Sequence, residues 1–274
     1  MRAVFLAFTV WVSIIQLTAQ LASTVPTASQ MLEGMKSSGW IERSKAFEQA
    51  SEALASGKVS SNDSERLKLG IIQLLVKENA LANIPDDEQA KWEAKRTKGE
   101  VETEDEEYYP SLVGFVADMN DERAIPALVG AMPYASNAAG ALLRFGDKAV
   151  GPILDQLKSG NALLRSSALE MAISMEGQNE LVSPARIREM LRSALRDPDA
   201  AVRGEAVEEV ACLDDRKDFV PDLERLAKTD PAHWKGREDD GVDGDQFYPV
   251  RLYARRSLRE IQNNEQCLWR GSGR

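Results

Sequence analysis

The side chains most able to do covalent or acid–base chemistry are scarce in this sequence. There is one histidine, His233, and two cysteines, Cys212 and Cys267. His233 lies in Pro231-Ala-His-Trp234, with no nucleophile or second base at a motif spacing. It therefore reads as a loop histidine and not as half of an acid–base pair. The same counts exclude a His-rich or Cys-rich metal site. No Walker-type loop, Gly-x-Gly-x-x-Gly turn or Gly-x-Ser-x-Gly elbow is present. No catalytic residue and no cofactor is expected. One stretch does gather hard oxygen ligands: Asp239, Asp240, Asp243 and Asp245, with Gly241 and Gly244 permitting tight turns. That composition suits calcium, but the spacing fails. Gly241 stands at the third position of an EF-hand count and Val250 at the twelfth, where a glutamate is needed.

Carboxylates also dominate the charge. Lys and Arg number 34 against 44 Asp and Glu, a net charge of −10. An excess of that sign opposes nucleic acid and anionic lipid as main partners, since both select clustered Lys and Arg. The excess is concentrated. Residues 83–107 hold ten acids and four bases, and residues 230–247 hold six acids and two bases. The first segment ends in Glu100-Val-Glu102-Thr-Glu104-Asp105-Glu106-Glu107 and runs into Tyr108-Tyr109-Pro110; the second runs into Phe247-Tyr248-Pro249. Blocks of like charge are commonly solvated loops. The sharper reading is an acidic, aromatic-flanked edge for a basic protein partner, built from Glu102, Glu104, Asp105, Glu106, Glu107, Tyr108, Tyr109, Phe247 and Tyr248.

The elements that position these segments repeat along the chain. Asp121-Glu-Arg-Ala-Ile-Pro126-Ala-Leu and Asp147-Lys-Ala-Val-Gly-Pro152-Ile-Leu are two copies of one phrase, and Pro184 and Pro221 open two more. Each Pro is placed at a helix start, where a missing N–H and a fixed φ are tolerated. A second phrase follows: Leu164-Arg165-Ser-Ser-Ala168, Val202-Arg203-Gly-Glu-Ala206, Val250-Arg251-Leu-Tyr-Ala254, with Ile41-Glu-Arg43-Ser-Lys-Ala46 as an earlier copy. In one copy Ala138 replaces the arginine. Asp197 and Asp245 lie six residues before Arg203 and Arg251. Each copy predicts a helical hairpin whose two apolar stripes cannot both be buried alone, so consecutive hairpins must stack. Asp197, Arg203, Asp245 and Arg251, with Arg165 and Arg43, then form a ladder of charge-assisted hydrogen bonds between repeats.

These motifs resemble the HEAT-repeat family, in particular the short HEAT-like repeats of phycobilin lyases. The resemblance runs over roughly residues 28–263, most strongly over 121–213. It implies an all-α fold, a right-handed α-solenoid of about six stacked hairpins. These fall at about 28–56, 63–118, 121–146, 147–177, 183–213 and 217–263. The second is expected to open at Ser64 with Asp63 or Asn62 as cap. Ala138, a lengthened helix before Leu195 and the acidic insertions 83–107 and 230–247 depart from the pattern. By the register both insertions fall in the turn within a hairpin, on the same edge. HEAT-like metal hydroxylases use His–Glu pairs, and this chain has none. HEAT-like bilin lyases are cytoplasmic, which the amino terminus contradicts.

Arg2 is followed by an apolar run through Ile15 and small residues at Thr18, Ala19, Ala22 and Ser23. Residues 1–22 read as a secretory signal peptide, with a cut after Ala19 or Ala22. The alternative is an uncleaved membrane anchor over residues 3–22. Residues 23–27 link it to the repeats, and 264–274 form a tail. The protein is expected outside the cytoplasm, periplasmic or extracellular, touching a membrane only if the leader stays. Cys212 and Cys267 could bridge there if the tail folds back; the alternative is free or intermolecular thiols. The sequence thus predicts an exported scaffold that binds a protein partner, without catalysis. The alternative is an envelope enzyme or accessory subunit using the acidic, calcium-type loop.

Overall fold

In the computed structural model, residues 26–83, 107–235 and 246–265 are described, with the side chains of 178, 179, 234, 235, 246 and 247 excepted. The described chain is all-α apart from a two-residue antiparallel ladder pairing Trp234 with Phe247 and Lys235 with Gln246. Its helices are α1 (Ala28–Gly34), α2 (Trp40–Ala55), α3 (Ser61–Ala82), α4 (Tyr108–Asp118), α5 (Ile125–Ala131), α6 (Ser136–Phe145), α7 (Asp147–Asp155), α8 (Ala162–Asn179), α9 (Pro184–Ala194), α10 (Ala200–Ala211), α11 (Val220–Thr229) and α12 (Pro249–Gln262). The chain divides into two compact units at Gly70/Ile71, and α3 contributes to both.

Helix starts follow from local chemistry. The Thr27 hydroxyl accepts from the Gln30 N–H while Gln30 Oε1 accepts from the Thr27 N–H, a reciprocal cap on α1. Ser60, not Asn62 or Asp63, caps α3: its Oγ accepts from the Asp63 N–H and donates to the Asp63 carboxylate. Asn161, Ser183 and Asp199 cap α8, α9 and α10 with their side chains. Pro126, Pro184, Pro221 and Pro249 sit in the first turn of their helices. Pro152 does not: α7 already begins at Asp147 and carries the proline inside.

In the first unit, α1 packs on α2, and Arg66 of α3 donates to the Ser29 hydroxyl of α1. A Cβ at Gly34 would lie 2.7 Å from Ala46 Cβ, so glycine permits that approach. In the second unit, helices pair within hairpins: α5 with α6, α7 with α8, α9 with α10, α11 with α12. The second helices also pack on one another, α4 on α6 and α8 on α10 on α12, while α5 packs on α7. The alanine one turn after each arginine slot is where this happens. Ala46, Ala168, Ala206 and Ala254 are all buried, as is Ala141 in the copy that lacks the arginine. A methyl there lets two helix backbones come close. Leu112, Leu128, Leu142, Ile153, Leu169 and Phe219 fill the space between the layers and have essentially no exposure.

Candidate partner-binding surface

The arginine slot is spent on the turns. Arg43 donates to the carbonyls of Ser38 at 2.5 Å and Ser37 at 3.4 Å. Arg165 donates to the Ser159 carbonyl at 2.8 Å, and Arg203 to those of Asp197 and Pro198, both at 2.8 Å. Each guanidinium so satisfies backbone oxygens of the turn between the two helices of its own hairpin. The rest of the fork points to the next hairpin. Arg165 Nε and Nη2 each lie 2.9 Å from the Asp197 carboxylate. Arg203 Nε and Nη2 lie 2.6 and 2.9 Å from that of Asp230. Three successive turns are thereby joined by two planar, two-point ion pairs.

Asp230 was not singled out by the register. It stands 21 residues before Arg251 instead of six, because the second acidic segment intervenes. Its carbonyl nevertheless accepts from Arg251 Nε at 2.7 Å, as the Asp197 carbonyl does from Arg203. The insertion therefore hangs from a turn closed in the ordinary way. The repeated dipeptide Asp197-Pro198 and Asp230-Pro231 was the available signal. Burial would push the Asp230 carboxyl up. Hydrogen bonds from Arg203 and the Ala232 N–H, with the charges of Arg203 and Arg251, hold it below the usual range instead. Asp245, expected as the acceptor, lies outside the described residues, as do Asp239, Asp240 and Asp243.

The aromatic residues beside the insertions are root fixings. Tyr108 is buried and donates to Glu78 at 3.1 Å. Tyr109 donates to Asn79 Oδ1 at 2.6 Å, and Asn79 Nδ2 donates to the Ala127 carbonyl at 2.6 Å. Tyr134, edge-on to Tyr109, donates to the Ala82 carbonyl at 3.0 Å; Asn83 donates to the Gly130 carbonyl at 2.7 Å. Tyr108, buried, and Tyr109, half-buried, thus tie the end of α3 to the start of α4. A phenol can bury its ring and still satisfy its hydroxyl on an inner polar group. At the second insertion the Tyr248 ring lies 4.0 Å beneath the Arg251 guanidinium and 5.6 Å from the His233 ring. His233 Nδ1 meets the Pro231 carbonyl at 3.0 Å. Glu107 is exposed at the head of α4, and Phe247 lies in the short ladder. Glu102, Glu104, Asp105 and Glu106 lie outside the described residues.

A second acidic surface escaped the sequence reading. Glu170 on α8 and Glu208 on α10 stand five residues after their slot arginines, and Glu205 lies one turn before Glu208. These second helices pack together, and the charges of Glu170, Glu209 and Glu208 all act on Glu205. Partial burial lifts the Glu205 carboxyl to about 7, helped by the negative charges of Glu170, Glu209 and Glu208. No hydrogen bond or ion pair is formed by Glu205 among the described residues. Burial also raises Glu208, which Arg256 of α12 partly offsets. Arg256 donates to Glu260 Oε1 at 3.0 Å, and the buried Oε2 has no hydrogen-bond partner among the described residues. The available signal was Glu205-x-x-Glu208-Glu209 on a helix face whose counterpart in the preceding repeat is also acidic.

Among the described residues no group of three His, Cys, Asp or Glu side chains is placed to hold a metal ion. No described helix is long and apolar enough to cross a membrane. Cys212, at the end of α10, is disulfide-bonded, and Cys267 lies outside the described residues. No protein-family model matches the sequence, and no curated protein matches it.

Proposed function

We propose that this protein is an exported scaffold, a right-handed α-solenoid of about six HEAT-like hairpins that binds a basic protein partner and does no chemistry of its own. Export rests on the leader-like residues 1–22. Stacking rests on the second-helix row and on turns joined by Arg165–Asp197 and Arg203–Asp230. The observation that carries the binding reading is the convergence of Glu170, Glu205 and Glu208 without a matching cation at Glu205. Carboxylates packed this way repel one another, and a lysine or arginine from outside relieves the repulsion on arrival. The two acidic insertions, rooted in the turns, add the same sign of charge and steer such a partner.

The test is capture from an envelope or secreted fraction on immobilised native chain and on a Glu170→Gln, Glu205→Gln, Glu208→Gln variant. A partner that the native chain retains at about 50 mM salt and releases at about 0.5 M, and that the variant retains poorly, is expected. Equal retention by the variant, or retention indifferent to salt, would overturn the reading.

A further inference from the structure

In the second unit a hollow lies along the first helices α7 and α9 and the turns that follow them. A cleft of about 240 Å³ opens between α7 and α9, with Arg165 of α8 and Val202 of α10 also in its lining. Leu154, Leu157, Met190 and Val202 form its apolar part, and Lys158 and Arg186 stand at its rim. A broader hollow of about 720 Å³ continues over α9, lined by Arg188, Arg192 and Arg196 at helical spacing. The two meet along Glu189, Ser193 and Asp197. Together they present six cationic side chains against the carboxylates of Glu189 and Asp197. In a chain of net charge −10, this is a local reversal of sign.

The cations differ in availability. Arg165 is committed to Asp197. Arg186, Arg188 and Arg196 share exposed or half-exposed pairs with Glu189, Asp215 and Asp222. Pairs of that kind contribute only about 0–1 kcal/mol and exchange partners readily. Arg192 lies over the Phe219 ring, 5.2 Å from its centre, and pairs with no carboxylate among the described residues; Lys158 likewise has no ion pair there. Among the described residues Lys158 thus stands unpaired at the rim of the apolar slot, while Arg192, stacked on Phe219, lines the adjoining hollow together with the exchangeable arginines.

We infer that this groove is a docking surface for an acidic peptide segment of another protein, with one apolar side chain in the α7–α9 cleft and carboxylates on Lys158 and Arg192. The charge complementarity selects a negatively charged occupant. The apolar floor selects a peptide over a uniformly polar polyanion, because a leucine-sized side chain loses water there. This surface shares no residue with the carboxylate cluster on the second helices and is of opposite sign.

The test titrates the full chain with a fluorescent peptide carrying one leucine between two pairs of glutamates. Companion probes have the leucine replaced by serine, the glutamates replaced by lysines, or are a single-stranded DNA of equal charge. Saturable binding of the first peptide alone is expected, weakened roughly tenfold or more by Lys158→Glu with Arg192→Glu and restored by Lys158→Arg with Arg192→Lys. An unchanged melting temperature shows that the double variant is folded. Absence of saturable binding, insensitivity to the double variant, or preference for the lysine peptide or the DNA would overturn the inference. So would a marked gain in affinity when Glu102, Glu104, Glu106 and Glu107 are changed to Gln, since the chain's own acids would then hold the groove.

Discussion

Arg203 and Asp230 form the most enclosed ion pair of the turn edge, their side chains 8% and 1% exposed. Truncating Asp230 to Ala leaves a buried guanidinium half-satisfied, so a loss of about 3–5 kcal/mol is expected in urea unfolding. Asp230→Asn adds a pH signature. Because the Asp230 carboxyl titrates below its usual 3.8, its charge stabilises the fold above about pH 4, and this is lost as the pH falls through the native value. The gap between native and Asp230→Asn stability should therefore be full at neutral pH and close in acid. Glu205 has the opposite sign. Its carboxyl rises from 4.5 to about 7, so the native chain loses stability as the pH climbs across that window. Glu205→Gln should be more stable at pH 8 by about 1 kcal/mol, after discounting for solvent screening, and show no gain below pH about 4.5. A variant less stable at pH 8 would contradict the crowding of carboxylates. At this scale the sequence revealed the arginine slot and Asp197, because spacing within one turn is preserved. It hid Asp230, which an insertion separates from Arg251, and Glu205, whose neighbours come from two helices.

The helices and their connections carry the next level. Periodicity and the recurring proline made nearly every helix legible, since an apolar stripe at 3.6-residue spacing is a local property. Pro152 shows the limit of that signal: the stretch before it, from Asp147, is already helical. The tyrosines show another. An aromatic beside a charge run looks available for a partner, yet Tyr108 and Tyr109 have inward hydrogen-bond partners on Glu78 and Asn79 that no local pattern announces. Asn79→Ala removes the acceptor of Tyr109 and the donor to the Ala127 carbonyl, leaving both to find water. A cost of about 2 kcal/mol follows. Hydrogen exchange should rise at the Asn83 amide, which donates to the Asn79 carbonyl at the end of α3. Exchange unchanged at Asn83 would mean that this network does not fix the root of the first insertion.

For the molecule as a whole, the concentration of acidity in two segments is written in the composition, whereas the separation into two units and the basic groove across α9 are products of packing. Cys212 is disulfide-bonded, and Cys267 is the other cysteine of the sequence. A bridge between them closes a loop of about 55 residues and should stabilise the chain by about 4 kcal/mol. Thiol labelling of the unfolded, unreduced protein is expected to find no free cysteine, and one or two labels would sink the bridge. The central claim is that acidic surfaces bind a basic partner. Carbodiimide coupling tests it most directly, because it joins carboxylates to lysines only where they touch. On the captured complex, followed by peptide mapping, the cross-links should fall on Glu170, Glu205 or Glu208 and on the acids at 100–107. Their absence from all of these positions, with the partner nonetheless bound, would contradict the account.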